Sequence, residues 1–174
     1  MTRRYLELTA EDRRALVDLG SRLQPYVETL LERVVAAIGE AEELAGVMPP
    51  GDISDVLRVS LVAYLDALRG DRIEEHLQDS GARIRVRAEE GVSYEGLVVA
   101  IMAFEQAVAW AIREAYSDKE DLGAVRLAFL RANHRHLTIA ANAYIAGKQD
   151  TIRAQQQAML ALSTPVVEVW EGVL

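Results

Sequence analysis

The sequence predicts an all-α fold, and three observations support that prediction. Strong helix formers such as Ala, Leu, Glu and Arg are abundant, whereas 174 residues contain only 4 Pro and 11 Gly. Apolar residues recur at every third or fourth position over long segments, which is the period of an amphipathic helix. The breaks between these segments carry Pro or Gly, the residues that most often end helices.

The composition predicts a folded, acidic, soluble protein. Hydrophobic residues make up 51% and charged residues 26% of a 19.2 kDa chain, enough for a buried core. The net charge of −8 disfavours binding to nucleic acid or to an anionic membrane. The absence of Cys excludes disulfides and thiolate zinc sites. Because no apolar run approaches the ~20 residues of a membrane span and acidic residues interrupt the first segment, we expect a cytoplasmic location.

The first half of the chain predicts three helices. Residues 9–12 form a capping signal before an apolar stripe, and a second helix carries Val27, Leu30, Leu31, Val34 and Ile38 at helical spacing. Residues 47–52 contain Pro49-Pro50-Gly51 and predict a loop. The following stripe, from Leu57 to Leu68, predicts a helix that ends at Gly70.

The second half predicts three more helices. One covers about residues 72–90 and ends at Gly91, and Ser93 caps the next, which runs to about residue 117. The last helix starts near Ser117 and contains no Pro before Pro165. Residues 121–161 would span ~60 Å as one helix, more than a compact domain of this size needs. Its polar second half predicts a helical connector that pairs with its copy in a dimer.

The tail changes character after that helix. Ser163-Thr164-Pro165 predicts a helix break, and the β-branched residues 166–170 predict a strand. A single strand has no sheet to join, so we expect a β-containing domain to follow.

The sequence offers no catalytic or metal-binding motif. Its three histidines are His76, His134 and His136, and the last two point in different directions on a helix, which prevents them from sharing a metal. His76 is predicted on the surface, away from the apolar stripe of its helix. Paired acidic residues predict solvated helix faces. No metal, cofactor or enzymatic activity is therefore expected.

Four residues are candidates for a ligand pocket: Tyr64, Arg83, Arg87 and Tyr94. Arg83 and Arg87 share a helix face, and Arg87 lies at the edge of the apolar stripe, where it could anchor a small anion. The alternative for Arg87 is an ion pair with Glu90 or with a neighbouring helix, and the alternative for the two tyrosines is plain core packing.

At this point the chain resembles a known family. Residues 9–27 are similar to the opening helices of sensor globins, and residues 83–94 (RIRVRAEEGVSY) are similar to their proximal-helix segment. Residues 162–174 (LSTPVVEVWEGVL) are similar to the junction that opens the STAS domain of RsbR-type stressosome proteins. The chain therefore resembles the non-haem, globin-like sensor domain of the RsbT co-antagonist family over most of residues 5–160.

The resemblance implies a domain organisation and a set of partners. Residues 1–147 would form the globin-like sensor domain, residues 148–162 a helical linker, and residues 163–174 the start of a STAS domain. The sensor would be a homodimer that relays a signal to the STAS domain. Through the full-length protein it would act with an RsbS-type scaffold and an RsbT-type switch kinase.

The resemblance also implies where two copies would meet. As in sensor globins, the dimer interface would use the helices of residues 93–117 and 121–147. The large side chains there give three candidates for the interface: Trp110, Phe129 and His136.

Two other functions remain open at this stage. In haem-binding sensor globins the proximal His stands four residues before the Gly that ends its helix, and here that position holds Arg87. The missing ligand favours the non-haem sensor. The alternative is a haem-binding gas or redox sensor that recruits His76, His134 or His136 in an unusual geometry. An enzyme of unknown reaction ranks third.

Overall fold

The chain forms a helical domain with one very long helix at its C-terminal end. The computed structural model describes residues 7–39, 53–116 and 122–171, without the side chains of residue 53 and residues 160–171. Within these ranges the helices are α1 (Ala10–Leu23), α2 (Val27–Gly39), α3 (Ile53–Arg69), α4 (Ile73–Glu89), α5 (Tyr94–Ala115) and α6 (Leu122–Glu171). The same ranges contain no strand, so the predicted all-α class with a long C-terminal helix is confirmed.

Two predicted elements cannot be compared with the structure. The loop at residues 47–52 and the helix start at Ser117 both lie outside the described residues.

Local sequence signals set several helix ends. The Thr9 hydroxyl accepts a hydrogen bond from the Asp12 backbone N–H at 3.1 Å, and the Asp12 carboxylate accepts one from the Thr9 N–H at 2.9 Å. This reciprocal pair is a capping box and opens α1. Ser93 caps α5 through a 3.0 Å bond from the Gly96 N–H. α4 ends at Glu89, and the chain turns away at Gly91, whose φ of 96° only glycine adopts easily.

The core is built from several contacting helix pairs, of which α4 and α6 form the most extensive. α1 packs on α3, α2 packs on α5, and α4 packs on α6. Every helix contributes side chains that are almost completely buried: Leu16, Leu19, Leu23, Leu30, Leu65, Leu68, Ile73, Leu77, Val108, Ile112 and Val125. Removing this apolar surface from water is the main stabilising contribution to the fold.

A buried ion pair ties the start of α1 to α6. Arg131 Nη1 lies 2.9 Å from both carboxylate oxygens of Asp12, whose side chain is 7% exposed. Burial alone would raise the pKa of Asp12, but hydrogen bonds from Thr9 and Arg131 outweigh it and lower that pKa. The carboxylate therefore caps α1 and anchors it on α6.

Two glycines allow α4 and α6 to approach closely. A Cβ added at Gly81 would lie 2.6 Å from Ile139 Cγ2, and one added at Gly147 would lie 2.5 Å from the Arg85 carbonyl oxygen. Beyond Gly147, Arg85 forms an ion pair with Asp150. α6 thus follows α4 as far as Asp150, and the side chains of residues 152–159 are exposed.

The break and strand predicted near the C-terminal end are wrong. The helix α6 continues through Ser163-Thr164-Pro165 and reaches Glu171. A strand needs a partner strand for its backbone hydrogen bonds, and the described part of the chain offers none. A helix pairs its backbone N–H and C=O groups within its own segment. Residues 166–170 are therefore helical despite their β propensity.

One helix of the described ranges, α5, is long and apolar enough to cross a membrane, with a mean hydropathy of 1.5. In the fold this helix packs against α2 and α6, and its Val108 and Ile112 are 0% and 1% exposed. Its apolar composition therefore has an ordinary explanation as a core helix.

The close approach at Gly147 leads to a stability prediction. Gly147→Ala should lower the free energy of unfolding by about 1–3 kcal/mol, because the new methyl group meets the backbone of α4. The matched control is Gly123→Ala on the same helix, where an added Cβ meets nothing within 4 Å. It should raise the free energy of unfolding by up to about 1 kcal/mol. Urea unfolding measures both, and equal stabilities would contradict the close approach.

Candidate functional site

A cavity of about 210 Å³ lies between α2, α3, α4, α5 and α6. Leucine, valine, isoleucine, alanine and phenylalanine side chains form most of its wall. The polar residues that line it are Ser60, Tyr64, His76, Ser80, Arg83, Asn133 and His136. Among these, Ser60 and Arg83 are exposed, so the cavity opens to solvent between α3 and α4.

Helical spacing brings the polar residues to the same cavity. On α4, His76, Ser80 and Arg83 follow one another at intervals of four and three residues, which places them on one helix face. On α6, Asn133 and His136 are three residues apart and both line the cavity. The Asn133 side-chain amide donates to Glu105 of α5 at 2.5 Å, which fixes this wall.

His136 is held by a hydrogen bond across the α4–α6 contact. Its Nε2 lies 2.9 Å from Ser80 Oγ. Burial, followed by the nearby His76 and Arg83, lowers the pKa of His136 to about 4. The imidazole is therefore neutral at physiological pH and too weakly basic to activate Ser80 as a nucleophile. This pair stabilises the wall of the cavity.

Tyr64 lies in the middle of the cavity wall. Its ring meets His76 edge-on at a centroid distance of 5.7 Å and meets Phe104 edge-on at 4.9 Å. Burial raises the pKa of Tyr64 well above its ordinary value, so the phenol stays protonated. Its hydroxyl has no hydrogen-bond partner among the described residues.

Arg83 is the charged residue of the cavity lining. Burial lowers the pKa of His76, and the positive charge of Arg83 lowers it further, against a smaller opposing effect of Asp79. Both cavity imidazoles are thus uncharged at neutral pH. No Asp or Glu is among the lining residues, and Arg83 has no ion-pair or hydrogen-bond partner among the described residues.

The structure separates the four predicted pocket residues into two groups. Tyr64 and Arg83 line the cavity, whereas Arg87 and Tyr94 do not. Arg87 is 65% exposed and pairs with Glu90 at 2.9 Å. At its level α4 lies too close to α6 at Gly147 to leave any space. Tyr94 is 43% exposed and packs against Tyr144, before the part of α5 that reaches the cavity.

The three predicted interface residues all have contacts within one protomer. Phe129 is 3% exposed and belongs to the core, and His136 faces the cavity. The Trp110 ring lies under the Arg33 guanidinium, 3.9 Å from ring centroid to Cζ, with the edge of Tyr26 beside it. Trp110 is only partly buried, and the dimer and the three interface residues stay predictions.

The histidine positions correct one expectation. His76 was predicted on the surface, but it lines the cavity because α4 turns this side toward Tyr64 of α3. The sequence analysis also missed Ser80 and Asn133. The spacing of His76, Ser80 and Arg83 beside Leu77 was the available signal. It marks a polar strip along the edge of a buried helix face.

The site does not fit a haem. A haem iron needs only one protein ligand, so the space available decides the fit. A cavity of roughly 150 Å³ holds one benzene molecule, so about 210 Å³ suits a ligand only slightly larger. A haem is several times larger, and of the two cavity histidines His136 is already bonded to Ser80.

Comparison with known protein families identifies the family of this chain. The family model described as RsbT co-antagonist protein rsbRD N-terminal domain matches residues 26–159. No curated protein matches the chain.

The lowered pKa of His136 leads to a pH prediction. Between pH 6.5 and about 4 the unfolded chain binds a proton that folded His136 does not, so the folded state loses stability as the pH falls through this window. From pH 7.5 to 5 we expect a loss of about 2 kcal/mol, at about 1.4 kcal/mol per pKa unit.

Urea unfolding of three proteins tests this prediction. His136→Gln should lack this part of the pH dependence, whereas His134→Gln, an exposed neighbour on the same helix, should keep it. The same pH dependence in all three proteins would show that His136 is not responsible.

Proposed function

The chain belongs to the RsbT co-antagonist protein rsbRD N-terminal domain family, and from that premise we propose that it is the sensory domain of an RsbR-type stressosome protein. The family is one of regulatory domains, and we propose a non-catalytic role for this chain. In this role a globin-like domain receives a signal, and its C-terminal helix relays the signal to a STAS domain that controls a switch kinase.

The helix α6 is the single observation that carries this proposal. It contributes Ala132, Asn133 and His136 to the cavity, packs along α4 as far as Asp150, and then continues with an exposed segment, residues 152–159. A change in the cavity therefore acts directly on the element that leaves the domain. Rotation or sliding of such a helix is a known means of carrying a signal between domains.

The exposed part of α6 supports a homodimer. Ile145, Ile152 and Met159 are 55%, 53% and 71% exposed and are spaced by seven residues. A coiled coil pairs two helices through apolar residues at two positions of a seven-residue repeat, and these three residues occupy one of the two. We propose that two copies of α6 pair along this stripe, rather than through Phe129 and His136.

The proposed partners follow from the family. They are the STAS domain of the full-length protein, an RsbS-type scaffold and an RsbT-type kinase. The family description itself names RsbT. The net charge of −8 agrees with a cytoplasmic protein that binds neither nucleic acid nor a membrane surface.

An insertion experiment tests the relay. Four or seven helix-forming residues are inserted after Gln155 in the full-length protein that carries the STAS domain. Seven residues preserve the apolar repeat, whereas four rotate everything beyond the insertion. We expect the seven-residue insertion to retain the wild-type fraction of kinase on purified complexes, and the four-residue insertion to change that fraction severalfold.

Sedimentation provides the control for this experiment, because both insertions must leave the protein dimeric if the readout is to report on the relay. A wild-type fraction of bound kinase in both dimeric insertion variants would contradict the relay.

A haem-binding gas or redox sensor is the second candidate, favoured by the fact that His76 and His136 line the same cavity. The small cavity volume argues against it. We expect no Soret band after haemin is added to the purified chain and the excess is removed. A stoichiometric band that disappears in His76→Ala or His136→Ala, but not in His134→Ala, would overturn the non-haem proposal.

A further inference from the structure

The polar groups of the cavity divide into paired and unpaired ones. His136 bonds to Ser80, and Asn133 bonds to Glu105. In contrast, the Tyr64 hydroxyl and the ring nitrogens of His76 have no hydrogen-bond partner among the described residues. Both groups open on the cavity volume, where a ligand can supply the missing hydrogen-bond partner.

Tyr64 is the most informative of these groups because it is only 9% exposed. Within the described residues, every fully buried side-chain nitrogen or oxygen atom has a hydrogen-bond partner. The unpartnered hydroxyl of Tyr64 must therefore reach open space, and the cavity it lines provides that space. His76 stands beside it, with ring centroids 5.7 Å apart. A donor and a neutral imidazole thus face the same volume.

The charge of the lining selects an anion. Arg83 stands at the solvent-exposed mouth without an ion-pair partner among the described residues. The two cavity imidazoles are neutral at physiological pH because burial and Arg83 lower the pKa of each. Among the described lining residues no carboxylate balances the guanidinium, and Glu105, behind the wall, is bonded to Asn133. Guanidinium groups bind carboxylates in a planar, two-point geometry that adds specificity to the charge attraction.

The remaining wall selects a compact apolar body. Leu31, Leu61, Ile101 and Phe104 line the interior behind Arg83 and Tyr64. Benzene fills a cavity of about 150 Å³, which corresponds to about 25 Å³ per non-hydrogen atom. By that value a cavity of about 210 Å³ holds about eight non-hydrogen atoms. Inorganic phosphate or sulfate would leave these apolar walls without contacts, so a small organic acid fits better than a mineral anion.

We propose that this cavity binds a small monocarboxylic acid with a compact aromatic or branched aliphatic body. The carboxylate pairs with Arg83 and accepts hydrogen bonds from the Tyr64 hydroxyl and a His76 ring N–H, and the apolar body contacts Leu61 and Phe104. The inference deepens the proposed sensory function by naming its ligand class, and it rests on that function for its biological meaning.

Calorimetric titration of the purified chain with benzoate tests the proposal, and benzamide and inorganic phosphate serve as matched probes. Benzamide keeps the size and the apolar body but lacks the charge, whereas phosphate keeps only the charge. We expect benzoate to bind at one site per chain, at least ten-fold more tightly than benzamide, and phosphate not to compete with it. Equal binding of benzoate and benzamide, competition by phosphate, or no benzoate binding would overturn the proposal.

Three variants test the positions of the contacts. Arg83→Gln should weaken benzoate binding at least ten-fold, and Tyr64→Phe should weaken it severalfold with little change in ring volume. Arg87→Gln is the matched control, since Arg87 is on the same helix but outside the cavity, and it should change binding less than two-fold. Equal losses in Arg83→Gln and Arg87→Gln would show a nonspecific charge effect and overturn the assignment.

This experiment separates the two proposals. Binding is measured on the sensory domain alone, whereas the insertion experiment measures kinase retention in the full-length protein. Failure of benzoate to bind leaves the relay intact, and failure of the relay leaves the carboxylate site intact.

Discussion

The close packing of α4 on α6 is the constraint on which the rest of the structure depends. It is possible because Gly81 and Gly147 carry no side chain where the two helices meet. The short distance brings Ser80 within hydrogen-bond reach of His136 and closes the cavity beyond Arg83. It also fixes the direction in which α6 leaves the domain. The site and the connector therefore depend on the same helix contact.

That dependence gives the long helix two environments. Up to Asp150 its partners are other helices of the same domain, and its buried positions follow the period of an amphipathic helix. Over residues 152–159 every side chain is exposed, and the apolar positions Ile152 and Met159 are seven residues apart. The first pattern suits packing in a globular core, and the second suits pairing with an identical helix. One continuous backbone joins the two.

Local signals were sufficient to predict most helices but not the site. A few adjacent residues determine the capping box at Thr9 and the turn at Gly91 that follows α4. That Arg83 lines the cavity and Arg87 does not depends instead on where α6 crosses α4. No local sequence pattern encodes that crossing. The position of His76 depends in the same way on the rotation of α4 toward α3. The strand predicted at residues 166–170 failed because propensity does not supply a partner strand.

The ion pair between Asp12 and Arg131 has a consequence for how the limits of this domain are drawn. The region that matches the family begins at residue 26, after α1 has ended. Yet Leu16 and Leu19 of α1 are 1% and 0% exposed, and Asp12 anchors that helix on α6. A fragment cut at the edge of the similarity would expose the apolar faces that α1 covers, and exposed faces of this kind favour aggregation. The unit that folds is larger than the unit that similarity detects.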